Sequence, residues 1–196
     1  MGCQTCAAPS VPLEQQHVAS HGSVCRAPAR TPDEERLLRE TVAAICADFG
    51  PSCNARKTEA GEPPRELWDA LAERGYLGVN LPERWGGGGM AMSGLAAVAE
   101  EIAAAGCVLL LLVVSPAIVG NRIANHGSPE QQEAWLTGIA SGELRVAFAI
   151  TEAEAGSNAH NLRTAARREG DRYMLRGEET AILGRRGCSR GPCRRP

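Results

Sequence analysis

Aromatic side chains are scarce in this chain of 196 residues, which holds three Trp, two Tyr and two Phe. Its apolar fraction is nonetheless ordinary at 43% and leans on Ala, Leu and Val. That balance suits helices packed through small side chains better than a β-sandwich, whose strands draw on aromatic and β-branched residues. Long apolar runs are missing as well. The longest, 108–114, falls far short of the roughly 20 residues that a membrane-spanning helix needs, and reads as part of a buried helix. The N-terminus lacks a basic segment followed by an apolar stretch, so no secretory signal is expected and the cytoplasm is the expected compartment. Nor is there a basic excess. Net charge is −2, yet residues 1–30 carry two Arg and one Glu, and residues 184–196 five Arg and no acid, which leaves residues 31–183 with 14 basic against 22 acidic side chains. A body that acidic argues against nucleic-acid binding, which rests on neutralising phosphates.

In such a compartment the eight cysteines read as thiols rather than as a disulfide framework. Cys46, Cys53 and Cys107 fall in or beside helical patterns, where cysteine serves as a small apolar residue. Cys3, Cys6, Cys25, Cys188 and Cys193 lie in the two ends of the chain, and their spacing is too loose to predict zinc. His126 and His160 have no partners at metal-ligand spacing. No metal site is expected.

Residues 1–30 have no apolar period and several Pro and Ser, which is the composition of a disordered arm. Thr31, Pro32 and Glu34 then open a helix as N-cap, first-turn proline and capping-box acid. Leu37, Leu38, Thr41, Val42, Ile45 and Phe49 keep helical spacing until Gly50 and Pro51 end it. A second helix starts at Pro64, buries Leu67, Trp68 and Leu71, and stops at Gly75, so the two form a helical hairpin. The four glycines 86–89 lack the Lys-Ser/Thr of a phosphate loop and read as a flexible turn between helices. Residues 93–105 and 108–125 read as two helices that are apolar nearly all round and hence central in the bundle, with Pro116 kinking or splitting the second. Ser128, Pro129 and Gln131 cap a fifth helix ending near Gly142. After Glu143 the period changes. Residues 145–151 read as a strand, and 162–168 with 172–176 as a hairpin turning at 169–171. The expected fold is mainly α: a bundle of about five helices over 31–143, then an incomplete antiparallel β segment over 144–183. Residues 184–196 have no apolar period and read as an unrelated basic tail, of the kind that a frameshift or a broken gene leaves.

Candidate chemistry concentrates in residues 147–158. Val146, Phe148 and Ile150 alternate onto one face of the expected strand, which leaves Ala147, Ala149 and Thr151 on the other. A planar ring fits a face so bare. Thr151 both donates and accepts hydrogen bonds, and the small residues Ala155, Gly156 and Ser157 let backbone N–H groups approach a phosphate.

This stretch resembles the flavin-binding segment of the acyl-CoA dehydrogenases, in which a strand enters the pattern Thr-Glu-Pro-x-Ala-Gly-Ser-Asp. Thr151, Glu152, Ala155, Gly156 and Ser157 stand in register, while Ala153 replaces the proline, Glu154 takes a usually small position and Asn158 replaces the aspartate. Upstream, residues 127–135, 141–143 and 147–149 are similar to the family's approach to that segment, and 67–87 to its helical domain. The resemblance covers roughly residues 31–183. It implies a helical domain over 31–143 and the start of the flavin-binding β-domain over 144–183. It also implies FAD as cofactor, an acyl-CoA substrate, and assembly as a homo-oligomer. The residues it assigns to the cofactor are Phe148, Ile150, Thr151, Gly156 and Ser157, with Ser157 also reaching the pantetheine arm of the substrate.

In that family a carboxylate removes the proton next to the thioester and hydride passes to the flavin. The carboxylate belongs to a C-terminal helical domain, so the resemblance assigns no catalytic residue here, and the 196 residues alone are expected to lack turnover. Glu152 matches a position without a base role, and both it and Glu154 read as solvated carboxylates beside a turn. Ala181, Ile182 and Leu183 align with a Trp-Ile-Thr segment that touches the flavin, of which only Ile182 is kept. Two rival readings stand beside this one: a non-enzymatic helical interaction module or remnant, and a fragment of a related acyl-CoA oxidase or flavin monooxygenase.

Overall fold

Thr31 opens the first helix through the reciprocal bonds that its spacing to Glu34 predicts. Its hydroxyl accepts from the Glu34 N–H at 3.3 Å, and the Glu34 carboxylate accepts from the Thr31 N–H at 2.8 Å. The computed structural model describes residues 31–170 and 172–182, which fall into two compact units, 31–148 and 149–182. The expected arm 1–30, tail 184–196 and the five terminal cysteines lie outside the described residues, as does Leu183.

In the first unit α1 spans Pro32–Cys46 and buries Leu38, Val42, Ile45 and Cys46. Gly50 and Pro51 do not end a helix that is followed by a long connection. They begin another, α2, over Gly50–Ala60. Proline has no N–H to lose in a first turn, and its fixed φ suits that position. The helix was missed because it buries none of its residues and so shows no apolar period. α3 follows over Arg65–Glu73, buries Leu67, Trp68 and Leu71, and runs out at Gly75, whose φ of +75° is left-handed.

Two short 3₁₀ turns, Tyr76–Gly78 and Glu83–Trp85, lead into the glycines 86–89. That run is no flexible turn. The N–H groups of Gly87, Gly88, Gly89 and Met90 donate to the carbonyls of Pro82, Gly78, Leu81 and Val79 at 2.9–3.2 Å. A Cβ at Gly87 would stand 2.2 Å from the Leu81 carbonyl oxygen, so glycine is what allows the two backbones to meet.

α4 covers Ala91–Ala104 and packs on α1, where the Arg39 guanidinium bridges Glu35, Glu100 and Glu101. α5, Leu110–Leu112, continues through a π-helical stretch, Val113–Gly120, into α6, Asn121–His126. The π turns contain Pro116, and Asn80 Nδ2 donates to its carbonyl at 3.2 Å. Proline thus splits the expected helix by widening it, which leaves backbone carbonyls for side-chain donors. Contrary to the expectation of central burial, this segment hides only one face. Leu112, Ser115, Pro116 and Ala117 are buried, whereas Val108, Leu110 and Val113 stay 61%, 54% and 37% exposed. α7, Pro129–Ala140, carries the predicted capping box at Ser128 and Gln131.

One apolar core joins α1, α3, α4 and α5 through Leu38, Val42, Trp68, Leu71, Leu77, Val98 and Leu112. A smaller one gathers Leu81, Ile139 and Ala140 with Trp135, Ile123, Leu144 and Val146. Each fully buried leucine contributes about 2 kcal/mol through removal of apolar surface from water.

The second unit holds β1, Ala165–Glu169, and β2, Arg172–Arg176, paired antiparallel from Ala165 opposite Arg176 to Glu169 opposite Arg172. The hairpin falls where its pattern places it. Residues 145–151 do not form the expected strand, because no ladder partner meets them among the described residues. Their backbone groups bond singly instead: the Val146 N–H donates to Ser115 Oγ at 3.1 Å, and the Thr151 carbonyl accepts from the Thr180 N–H at 2.6 Å.

Candidate functional site

Glu152 organises the segment on which the sequence places the binding residues. It was expected to be a solvated carboxylate, yet it is 7% exposed and accepts two backbone N–H groups, from Arg163 at 2.8 Å and from Thr164 at 2.6 Å. Hydrogen bonds from the Arg163 backbone and from Thr164 hold its carboxyl below the usual carboxylate range, with burial opposing them. The main chain of Glu152 also pairs with Ala155, N–H to carbonyl in both directions at 3.3 and 3.2 Å. A tight turn over 152–155 is therefore pinned at its first residue to backbone amides eleven and twelve positions downstream. Sequence reading missed this role because both donors lie that far along the chain, beyond any local pattern.

On this frame Thr151 is half-buried, with its carbonyl held by both the N–H and the hydroxyl of Thr180. Residues beyond β2 thus return to Thr151 through Thr180. Gly177 permits the approach, since a Cβ there would overlap the Thr164 hydroxyl. Ile150 is 40% exposed, and Gly156 and Ser157 are exposed beyond the turn. Nothing lies within 4 Å of where a Gly156 Cβ would stand. Thr151, Gly156 and Ser157 are thus brought onto one pinned segment together with Ile150. Phe148, 36% exposed, is the last residue of the helical unit and is not part of that frame.

These residues fit a planar group bearing phosphates. An apolar side chain, a half-buried threonine, an open glycine and an exposed serine follow one another, and the charge that would oppose a pyrophosphate is met: Glu154 pairs with the Arg163 guanidinium. Both partners are exposed, so the pair adds little stability, but it offsets the local negative charge. Neither carboxylate is free to act as a base, Glu152 being held by backbone donors and Glu154 by Arg163. His126 is exposed beside Arg122, and His160 lies in an exposed 3₁₀ turn. Among the described residues no group of three potential ligands could hold a metal ion, and no helix is long and apolar enough to cross a membrane.

With this geometry in view, comparison with known proteins gives the class. Residues 32–143 match the family described as acyl-CoA dehydrogenase, N-terminal domain. The chain belongs to that family. Among curated relatives it is 48% identical over 152 residues to the acyl-CoA dehydrogenase FadE12 of Mycobacterium tuberculosis, covering 78% of this chain and 39% of the relative. It is 36% identical over 127 residues to a 3-(aryl)acrylate reductase of Clostridium sporogenes, covering 64% and 34%. A solved glutaryl-CoA dehydrogenase from Mycobacterium smegmatis superposes with a TM-score of 0.72 at 32% identity, over 79% of this chain and 40% of that one. The chain spans about two fifths of the length of the curated relatives it matches most fully.

Proposed function

We propose that residues 31–182 are the N-terminal helical part and first flavin-binding segment of a flavin-dependent oxidoreductase acting on acyl-CoA thioesters. The observation that carries the reading is the pinned turn 152–155, which presents Thr151, Gly156 and Ser157 in the family's register on an exposed segment. FAD, when bound, supplies the hydride acceptor for α,β-dehydrogenation of the thioester. Thr151 hydrogen-bonds the flavin ring, and Ile150 offers it apolar contact. Gly156 lets the backbone approach a phosphate, and the Ser157 hydroxyl donates to phosphate or to the pantetheine arm. The carboxylate base belongs to sequence outside these residues. The 196 residues by themselves therefore bind FAD weakly and do not turn over.

The weakness follows from magnitudes. The hydroxyls and N–H groups of one segment contribute on the order of 1 kcal/mol each, whereas immobilising a large cofactor costs several kcal/mol before any affinity appears. Replacing the matching region of FadE12 with residues 31–182 tests the proposal. The hybrid is expected to purify with bound flavin and to oxidise an acyl-CoA, and Thr151→Val with Ser157→Ala to lower its flavin content. A folded hybrid that carries no flavin would overturn the assignment.

A further inference from the structure

Between the first turn of α2 and the start of α3 lies a small cavity of about 20 Å³, lined by Phe49, Gly50, Cys53, Pro64, Leu67 and Cys107 among others. Two thiols face it, and neither belongs to the flavin segment. Cys107 is 5% exposed and sits against the head of α2, where the Gly50 N–H is directed at its sulfur. The neighbouring backbone is equally close, since a Cβ on Gly106 would stand 2.6 Å from Pro51 Cγ. Cys53 is half-buried, one turn further along α2 from Gly50. A helical Cα–Cβ bond tilts toward the helix N-terminus, so the Cys53 sulfur leans back toward the residue over which the Cys107 sulfur lies. Cys46 is nearby but fully buried, and burial pushes its thiol up to about 11. The cavity thus holds one thiol within reach of solvent and one enclosed beside it.

We propose that Cys53 and Cys107 form a reversible thiol–disulfide pair that exchanges with small-molecule disulfides of the glutathione type, Cys53 being the entry thiol and Cys107 the resolving one. In the first step the Cys53 thiolate attacks one sulfur of the small disulfide. A mixed disulfide forms on Cys53 and one small thiolate leaves, taking up a proton. In the second step the Cys107 thiol loses its proton and attacks the Cys53 sulfur, and the second small thiolate leaves as a thiol. The two protein thiols are oxidised by two electrons and the small disulfide is reduced to two thiols. Burial raises the Cys107 thiol, so resolution is the slower step near neutral pH and speeds as pH rises. The consequence is mechanical. α2 buries none of its own residues, and the new bond ties it to the segment between α4 and α5.

The experiment uses the whole chain, equilibrated with oxidised glutathione, alkylated, digested and mapped by mass. The expected product is a peptide pair joined through Cys53 and Cys107, lighter by two hydrogens, with Cys46 alkylated. Converting Cys3, Cys6, Cys25, Cys188 and Cys193 to Ser is expected to leave this product unchanged. Cys107→Ala is expected to stop the reaction with glutathione attached to Cys53. The mapping of the unsubstituted chain stands even if that variant fails to fold. A link through Cys46, a persistent glutathione adduct on Cys53 beside intact Cys107, or the same link with equal yield in concentrated urea would each overturn the pair.

Discussion

At the scale of single residues, Trp68 shows what an apolar period can and cannot reveal. Its place on the inward face of α3 with Leu71 follows from spacing alone, and it is 3% exposed. What spacing could not reveal is that its Nε1 donates to the Gly142 carbonyl at 2.9 Å, and that the Arg145 guanidinium lies 5.4 Å from its ring. Both partners are more than 70 positions away. Trp68→Ala is expected to cost about 3–5 kcal/mol through the cavity it leaves. Trp68→Phe keeps most of the volume and orphans the Gly142 carbonyl, for about 1–3 kcal/mol. Denaturant midpoints of the two variants check the order, and a Trp68→Phe midpoint equal to that of the unsubstituted chain would mean that the ring's volume alone matters. Glu152 is the opposite case, since nothing local to the sequence distinguishes a clamp from a solvated carboxylate. Its folded-state pKa lies below the unfolded value of about 4.3, so its stabilisation is present above that value and lost as pH falls through the folded pKa. Protection of the Arg163 and Thr164 amides, relative to their intrinsic exchange rates, should therefore be high near neutral pH and fall in acid. Glu152→Ala is expected to speed exchange at those two amides at pH 7 and to change it little once the carboxyl is protonated.

At the scale of elements, the N-termini of α1 and α7 were legible because capping boxes are short-range chemistry, two bonds made within four residues. Ser128→Ala should accordingly cost about 1 kcal/mol. α2 and the segment 145–151 were not legible, for reasons that mirror each other. α2 is a helix with no buried face to give it a period, and 145–151 has the alternation of a strand but no ladder to make it one. The bonds of Gly87, Gly88 and Gly89 run to 78–82, which no local rule anticipates. Two glycine substitutions separate backbone freedom from close approach. Gly61 caps α2 at φ +66° with open space around it, so Gly61→Ala should cost about 1 kcal/mol from the left-handed conformation alone. Gly87→Ala drives a methyl into the Leu81 backbone, and overpacking of that kind costs about 1–3 kcal/mol before any backbone shift is counted. Thermal melts of the two variants should rank Gly87→Ala below Gly61→Ala.

At the scale of the whole molecule, the two units differ in how much of their stability is their own. Residues 31–148 contain both apolar clusters, with Val42, Leu71, Leu77, Val98, Leu112 and Leu136 withdrawn from water almost completely. Their capping boxes, the Arg39 bridges and the Trp68 bond to Gly142 all close within the same stretch. Residues 149–182 have a clamp and a hairpin, but every position of β1 and β2 is exposed. A two-stranded ribbon with no covered face is marginal in water, because its few ladder bonds barely offset the entropy of ordering its residues. Residues 31–148 produced alone are therefore expected to fold, with helical circular dichroism and a single cooperative denaturant transition reported by the fluorescence of Trp68, Trp85 and Trp135 together. Residues 149–182 produced alone are expected to show no cooperative transition and fast amide exchange at Arg163 and Thr164, the clamp being too small to order the segment by itself. If the helical unit instead melted without cooperativity, the buried leucines would have to draw on residues outside 31–148, and the assignment of the core to this stretch would fall.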